Sequence, residues 1–148
     1  ERVMGNNPSY TKGTYRPVVA VNWHEAKAYC EKVGKRLPTE WEWEKAAKAG
    51  STTTYYWGND PSSVYAWYGE GYGSGSRLHF VGQKKPNAFG LYDMSGNVYE
   101  WTSSDYNKSD KVIRSGSWIN GPSRMRSADR DWSGSMLHSV DLGFRCAK

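Results

Sequence analysis

Residues able to do chemistry are few in this chain and poorly grouped for catalysis. Cysteine occurs twice, at Cys30 and Cys146, and histidine three times, at His24, His79 and His138. The histidines stand alone, without the close spacing of a zinc site. No Gly-x-Ser-x-Gly turn or phosphate loop lies between a strand and a helix. The Gly71-Tyr72-Gly73-Ser74-Gly75 run is too serine-rich and irregular for a nucleotide fingerprint. Two stretches hold the remaining candidates. Asp93 and Glu100 bracket a short Gly- and Asn-containing run; spacing alone makes this a turn aspartate and a glutamate in an ordinary salt bridge. Residues 118–142 carry Trp118, Asn120, Arg124, Arg126, Asp129, Asp131, Trp132 and His138. Trp and Arg are the types that anchor interfaces, and loops on a rigid scaffold are where binding residues collect. The cysteines are either two unrelated buried thiols or a bridge, and their separation does not decide between them.

The elements that must position these residues are partly explicit. Asn22 with Glu25 and Thr39 with Glu42 are two capping-box pairs, each opening a helix. Trp23, Ala26, Cys30 and Val33 then share one helical face, and Gly34 stops that helix. Trp43, Ala46 and Ala47 line the second helix, which Gly50 ends. Short strands are expected at 18–21, 99–102, 111–114 and 143–146. Residues 51–82 show no persistent period and read as loops pinned by aromatics, including the run from Gly69 to Ser76. The 148 residues suit one domain, residues 1–148, with one core. Eight Trp and eleven Tyr supply buried area where aliphatics are scarce. The net charge of +5 is scattered among acids, so no nucleic-acid partner is expected. No apolar run reaches membrane-spanning length, so no membrane insertion is expected.

Several long words of this sequence resemble the formylglycine-generating enzyme (sulfatase-modifying factor) family. They are the runs from Pro17 to Trp23, Gly34 to Glu44, Pro86 to Thr102, Val112 to Trp118 and Leu142 to Cys146. The resemblance implies an α+β fold, an embellished C-type-lectin-like domain of two helices, short strands and long loops. It also implies a copper oxidase site built on two cysteines, which hold cuprous ion because it prefers soft thiolates. Here the matching positions are Asn120 and Met125, so no copper site is expected. The family further implies a Cys30–Cys146 disulfide, worth about 4–5 kcal/mol in chain-entropy models and pointing to a secreted, periplasmic or cell-surface location. Carried over by position, a calcium site would use the Asp93 and Glu100 side chains with the Gly96 and Val98 carbonyls, all hard oxygens. The family's second calcium loop would lie near residues 66–75, where no matching acid stands. Family members carry further residues ahead of the Pro17 word, so a missing amino-terminal segment or a partner chain is expected.

The landmarks Gly116-Ser117-Trp118, Arg126-Ser127-Ala128 and Gly143-Phe144-Arg145 are also similar to those of variable proteins from diversity-generating retroelements. The expected function is noncovalent recognition of a protein or other macromolecule through the 118–142 surface. Trp118 and Arg126 are assigned to the framework. Asn120, Arg124, Asp129, Asp131, Trp132 and His138 are the expected ligand contacts. Two alternatives stay open. One is an enzyme of the same superfamily, either copper-independent or, if the cysteine mapping is wrong, a formylglycine-generating oxidase. The other is a structural subunit that completes another chain.

Overall fold

The structure is a computed structural model that describes residues 3–73 and 78–148. Glu1 and Arg2 of the opening, and Ser74 to Ser76 of the expected loop, lie outside the described residues. Helix α1 spans Trp23–Lys32 and helix α2 spans Glu40–Lys48. Each begins at its capping box. The Asn22 side chain accepts the Glu25 N–H at 3.0 Å, and the Glu25 carboxylate accepts the Asn22 N–H at 2.8 Å. Thr39 and Glu42 repeat the exchange at 3.2 and 2.8 Å. Such reciprocal caps satisfy amide donors that the first helical turn leaves open.

Four strands follow: β1 (Tyr99–Asp105), β2 (Asp110–Arg114), β3 (Asp131–Gly134) and β4 (Leu142–Phe144). They form one sheet in the order β3-β2-β1-β4, with β4 parallel to β1 and the other pairs antiparallel. The expected strands at 99–102 and 111–114 lie within β1 and β2. The one at 143–146 overlaps β4 by two residues. The expected strand at 18–21 is not formed; only an isolated bridge joins Val19 to Gly143. Two features there prevent a ladder. Ala20 has φ +57°, and the Ser9 hydroxyl both accepts the Val19 N–H and donates to its carbonyl. Strand β3 and a short 3-10 turn at Pro122–Met125 are additional to the sequence expectation.

The period-two alternation of a strand sends successive side chains to opposite sheet faces. On one face Tyr99, Trp101, Ile113 and Leu142 pack with Val21, Ala26, Cys30 and Leu37. The Cys30–Cys146 disulfide is present and fastens α1 to the chain end. On the other face Glu100, Thr102 and Arg114 look toward α2. There the Trp43 indole donates to Glu100 at 2.7 Å and Arg114 donates to Glu44 at 2.6 Å. The segment before the sheet is held by aromatics, as its composition predicts: Trp57 stacks between Tyr55 and Tyr65 at centroid distances of 4.8 and 5.1 Å.

Candidate functional site

The positions where the resemblance would place a thiolate pair sit beside a tight turn after β2. Gly116 has φ +67°, and a side chain there would collide with the Met125 methyl and the Arg124 carbonyl. The turn brings the Ser117 N–H to the Asn120 side-chain oxygen at 2.8 Å. The Ser117 hydroxyl lies 2.8 Å from both that oxygen and an Asp141 carboxylate oxygen. Asn120 is therefore committed to fastening its own loop. Met125 is 1% exposed and packs against Gly96 and Gly116. A saturated amide oxygen and an enclosed thioether do not make a cuprous site. Both cysteines are committed to the distant disulfide. The donor set does not fit copper.

The six expected contact residues fall into four groups. Asn120 belongs to the Ser117–Asp141 cluster. Arg124, Asp129 and Asp131 come together, with Arg124 reaching Asp131 at 3.1 Å and Asp129 at 3.5 Å. Arg126 joins them through Asp129 at 2.7 Å, and the Tyr99 hydroxyl donates to Asp131 at 3.4 Å. The first two groups adjoin through Tyr99, whose N–H donates to the Asp141 carbonyl at 2.8 Å. Burial, then the Asp131 charge, pushes the Tyr99 phenol above its ordinary range. Trp132 lies on the other side of β3 and stacks on Tyr106, centroids 4.5 Å apart. His138 contacts Glu25 of α1 at 3.1 Å. From Met125 to Ser133 the chain alternates, with Met125, Ser127 and Ser133 buried and Arg126, Ala128, Arg130 and Trp132 exposed. Asp129 and Asp131 fall on the inner side of that alternation, where they pin arginines.

Asp93, Gly96 and Asn97 all adopt left-handed backbone, with φ of +55°, +79° and +62°, which curls the expected calcium loop. Its oxygens are hard, as the ion requires, but several are already in use. The Glu100 carboxylate takes two 2.6 Å bonds from Arg145 besides that from Trp43. The Gly96 carbonyl accepts from the Ser115 hydroxyl and the Val98 N–H. Asp93 is buried and accepts the Gly82 N–H at 2.8 Å. Among the described residues no group of three or more His, Cys, Asp or Glu gathers as a metal cluster. The donor kinds fit calcium, while Glu100 would share its charge with Arg145.

Sequence reasoning passed over one cluster. The Trp67 indole carries the His79 ring stacked at 3.7 Å and the Lys84 ammonium at 3.5 Å from its centroid. His79 in turn meets Glu70 at 2.5 Å. Backbone bonds tie this segment to the turn described above: Gly69 donates to the Asn120 carbonyl at 2.7 Å and Glu70 to that of Trp118 at 3.0 Å. These residues are spread over eighteen positions of the sequence, and no local period marks them.

Comparison with known proteins agrees with this geometry. The sulfatase-modifying factor enzyme 1-like domain family matches residues 1–148. An inactive C-alpha-formylglycine-generating enzyme 2 of Bos taurus is 42% identical over 150 residues, covering 88% of this chain and 50% of that protein. The formylglycine-generating enzyme of Mycobacterium tuberculosis is 43% identical over 101 residues, covering 61% of this chain and 34% of that protein. The chain thus spans half the length of the first relative and about a third of the second. Among solved structures, Treponema denticola variable protein 1 is similar with a TM-score of 0.81 at 30% identity, covering 96% of this chain and 77% of that one. With the motifs, the two-helix curled-sheet architecture and these likenesses in agreement, the chain belongs to the sulfatase-modifying factor family and has its C-type-lectin-like α+β fold.

Proposed function

We propose that this chain is a non-catalytic recognition module that binds a protein or other macromolecule through the surface between residues 118 and 142. The observation that carries the reading is the chemistry of the turn at residues 116–125. Asn120 closes its own loop and Met125 is packed beneath two glycines, so no pair of sulfur anions is available to hold a redox metal. A relative named as inactive and a solved relative named as a variable protein support the same direction. The surface is assembled from turns on a disulfide-fastened scaffold, the arrangement expected of binding loops. The disulfide supports an oxidising compartment, and no helix among the described residues is long and apolar enough to cross a membrane. Calcium at Asp93, Gly96, Val98 and Glu100 belongs to this proposal as an accessory that stiffens the loop beneath Ser115 and Gly116.

The test is direct. Incubating the protein with cuprous ion, oxygen and a sulfatase-type cysteine peptide should leave the peptide mass unchanged. Conversion of the cysteine to formylglycine would overturn the non-catalytic reading.

A further inference from the structure

Within residues 121–140 every exposed charged side chain is basic. Arg124, Arg126 and Arg130 are exposed, whereas Asp129 and Asp131 are only partly exposed and turned inward. The ion pairs give the layering in numbers. The guanidinium side chains of Arg124 and Arg126 are 44% and 53% exposed, above Asp129 at 9% and Asp131 at 21%. Arg130 is likewise 44% exposed and sits on Glu40 at 7%. The acids thus hold the arginines from below, and what faces outward is a layer of N–H donors. Arg124 engages its acids through one terminal nitrogen, and Arg126 meets Asp129 through its Nη2 while its Nε donates to the Ser123 carbonyl. Donors on both groups therefore remain free to meet another molecule.

Beside this layer the chain exposes aliphatic side chains that no sequence motif had singled out. Met136 is 66% exposed, Leu137 50% and Val140 48%. Their loop is held to the front of α1: Trp23 donates to the Ser135 carbonyl and Ala20 to that of Ser139, at 3.0 and 2.9 Å. It is an ordered turn that displays apolar groups. Val140 directly precedes Asp141, whose carboxylate accepts from the Ser117 hydroxyl, so the aliphatic turn runs into the Asn120 cluster. The Asp141 carbonyl in turn accepts the N–H of Tyr99, whose hydroxyl donates to Asp131 beneath Arg124. Exposed apolar groups rimmed by polar ones mark interaction sites.

Building on the recognition-module reading, we infer that the partner is an acidic protein surface, carrying carboxylates for Arg124 and Arg126 and apolar side chains for the turn at Met136, Leu137 and Val140. Bidentate pairing of guanidinium with carboxylate gives geometric specificity beyond plain charge. Nucleic acid and sulfated polysaccharide fit this surface less well. Long polyanions depend on an extended basic stripe that releases many counterions, and the exposed arginines here are only Arg124, Arg126 and Arg130.

Selection of a phage-displayed random dodecapeptide library on the intact protein tests the inference. Recovered peptides should be enriched in Asp, Glu and large aliphatic residues. Their binding should weaken by at least about tenfold when Arg124→Gln and Arg126→Gln are combined, since two charge-assisted contacts are lost. Leu137→Ser should weaken the same peptides. Melting should stay cooperative in all variants, which would show that they fold, with a lowered midpoint for the double arginine change because it leaves the recessed Asp129 without its arginine partners. Enrichment of basic or uncharged peptides, indifference to the arginine changes, or an empty selection would overturn the acidic-partner inference. So would tight binding of heparin or single-stranded DNA in parallel wells. Each of these outcomes leaves the non-catalytic reading intact, because that reading fails only on aldehyde formation.

Discussion

Asp93 is the residue at which a buried charge is most thinly supported. Burial pushes its carboxyl above the usual aspartate range; the Gly82 N–H and the Arg145 charge pull it back, and the nearby Glu100 charge pushes it up again. The raised value fixes the sign of a pH effect. The native state binds more protons than the unfolded chain between the ordinary and the raised pKa. The stability contributed by Asp93 is therefore full below the ordinary aspartate value and is lost as pH rises through the folded one. Asp93→Asn keeps an oxygen to accept the Gly82 N–H and removes the buried charge. In chelator, the variant is expected to melt higher than the parent near neutral pH and to lose that advantage on acidification. On the proposed calcium reading, the ion should reverse the comparison. At about a hundredfold excess over its Kd the ion should add about 2.7 kcal/mol to the parent, and less to a variant lacking one carboxylate. A parent melting temperature indifferent to calcium and chelator would remove the calcium site and leave the burial effect standing.

Among the elements, α2 is what holds the segment around residues 129–131 in place. Arg114 of β2 has a fully buried side chain and reaches Glu44 at 2.6 Å and the Asp129 carbonyl at 2.6 Å. Arg130 forms a two-pronged pair with Glu40 at the start of the same helix, both bonds 2.9 Å. Removing one member of a buried ionic group strands its partner, at a cost of about 3–5 kcal/mol. Arg114→Met should therefore destabilise the protein by about that much in chemical denaturation, and amide exchange should quicken around residues 129–131. A loss below about 1 kcal/mol would mean that the network is not what positions the loop. Legibility in the sequence divides along the same line. The helices announce themselves through caps set by residues three apart. Strand β3 does not, because Asp-Trp-Ser-Gly has no apolar alternation and is ordered by pairing with β2. The inward turn of Asp129 and Asp131 was hidden for the same reason. It follows from where β3 docks and from Arg124 and Arg126 arriving above it, and neither is a local property. The expectation of no copper thiolates at Asn120 and Met125 rests on residue type at positions matched by resemblance. The self-closed loop at Asn120 became visible only through the Ser117 contacts.

At the scale of the whole molecule, the disulfide joins cysteines 116 positions apart and so closes most of the chain into a ring. The sheet depends on this closure at its edge, because β4 is three residues long and pairs with β1 in parallel. Just beyond β4, Arg145 crosses to Glu100, Tyr92 and Asp93, coupling the chain end to the loop beneath Gly116. Replacing both cysteines with serine should cost about 4–5 kcal/mol if ring entropy in the unfolded chain dominates. Because the tail also holds Arg145 against Glu100, the consequences should not stop at stability. Amide exchange should accelerate at residues 93–100 and around Ser117 as well as at the tail itself. A stability loss of the expected size with unchanged exchange at 93–100 would confine the disulfide to the unfolded state. Faster exchange there would make the bridge a support of the proposed binding surface, joined to it through Arg145.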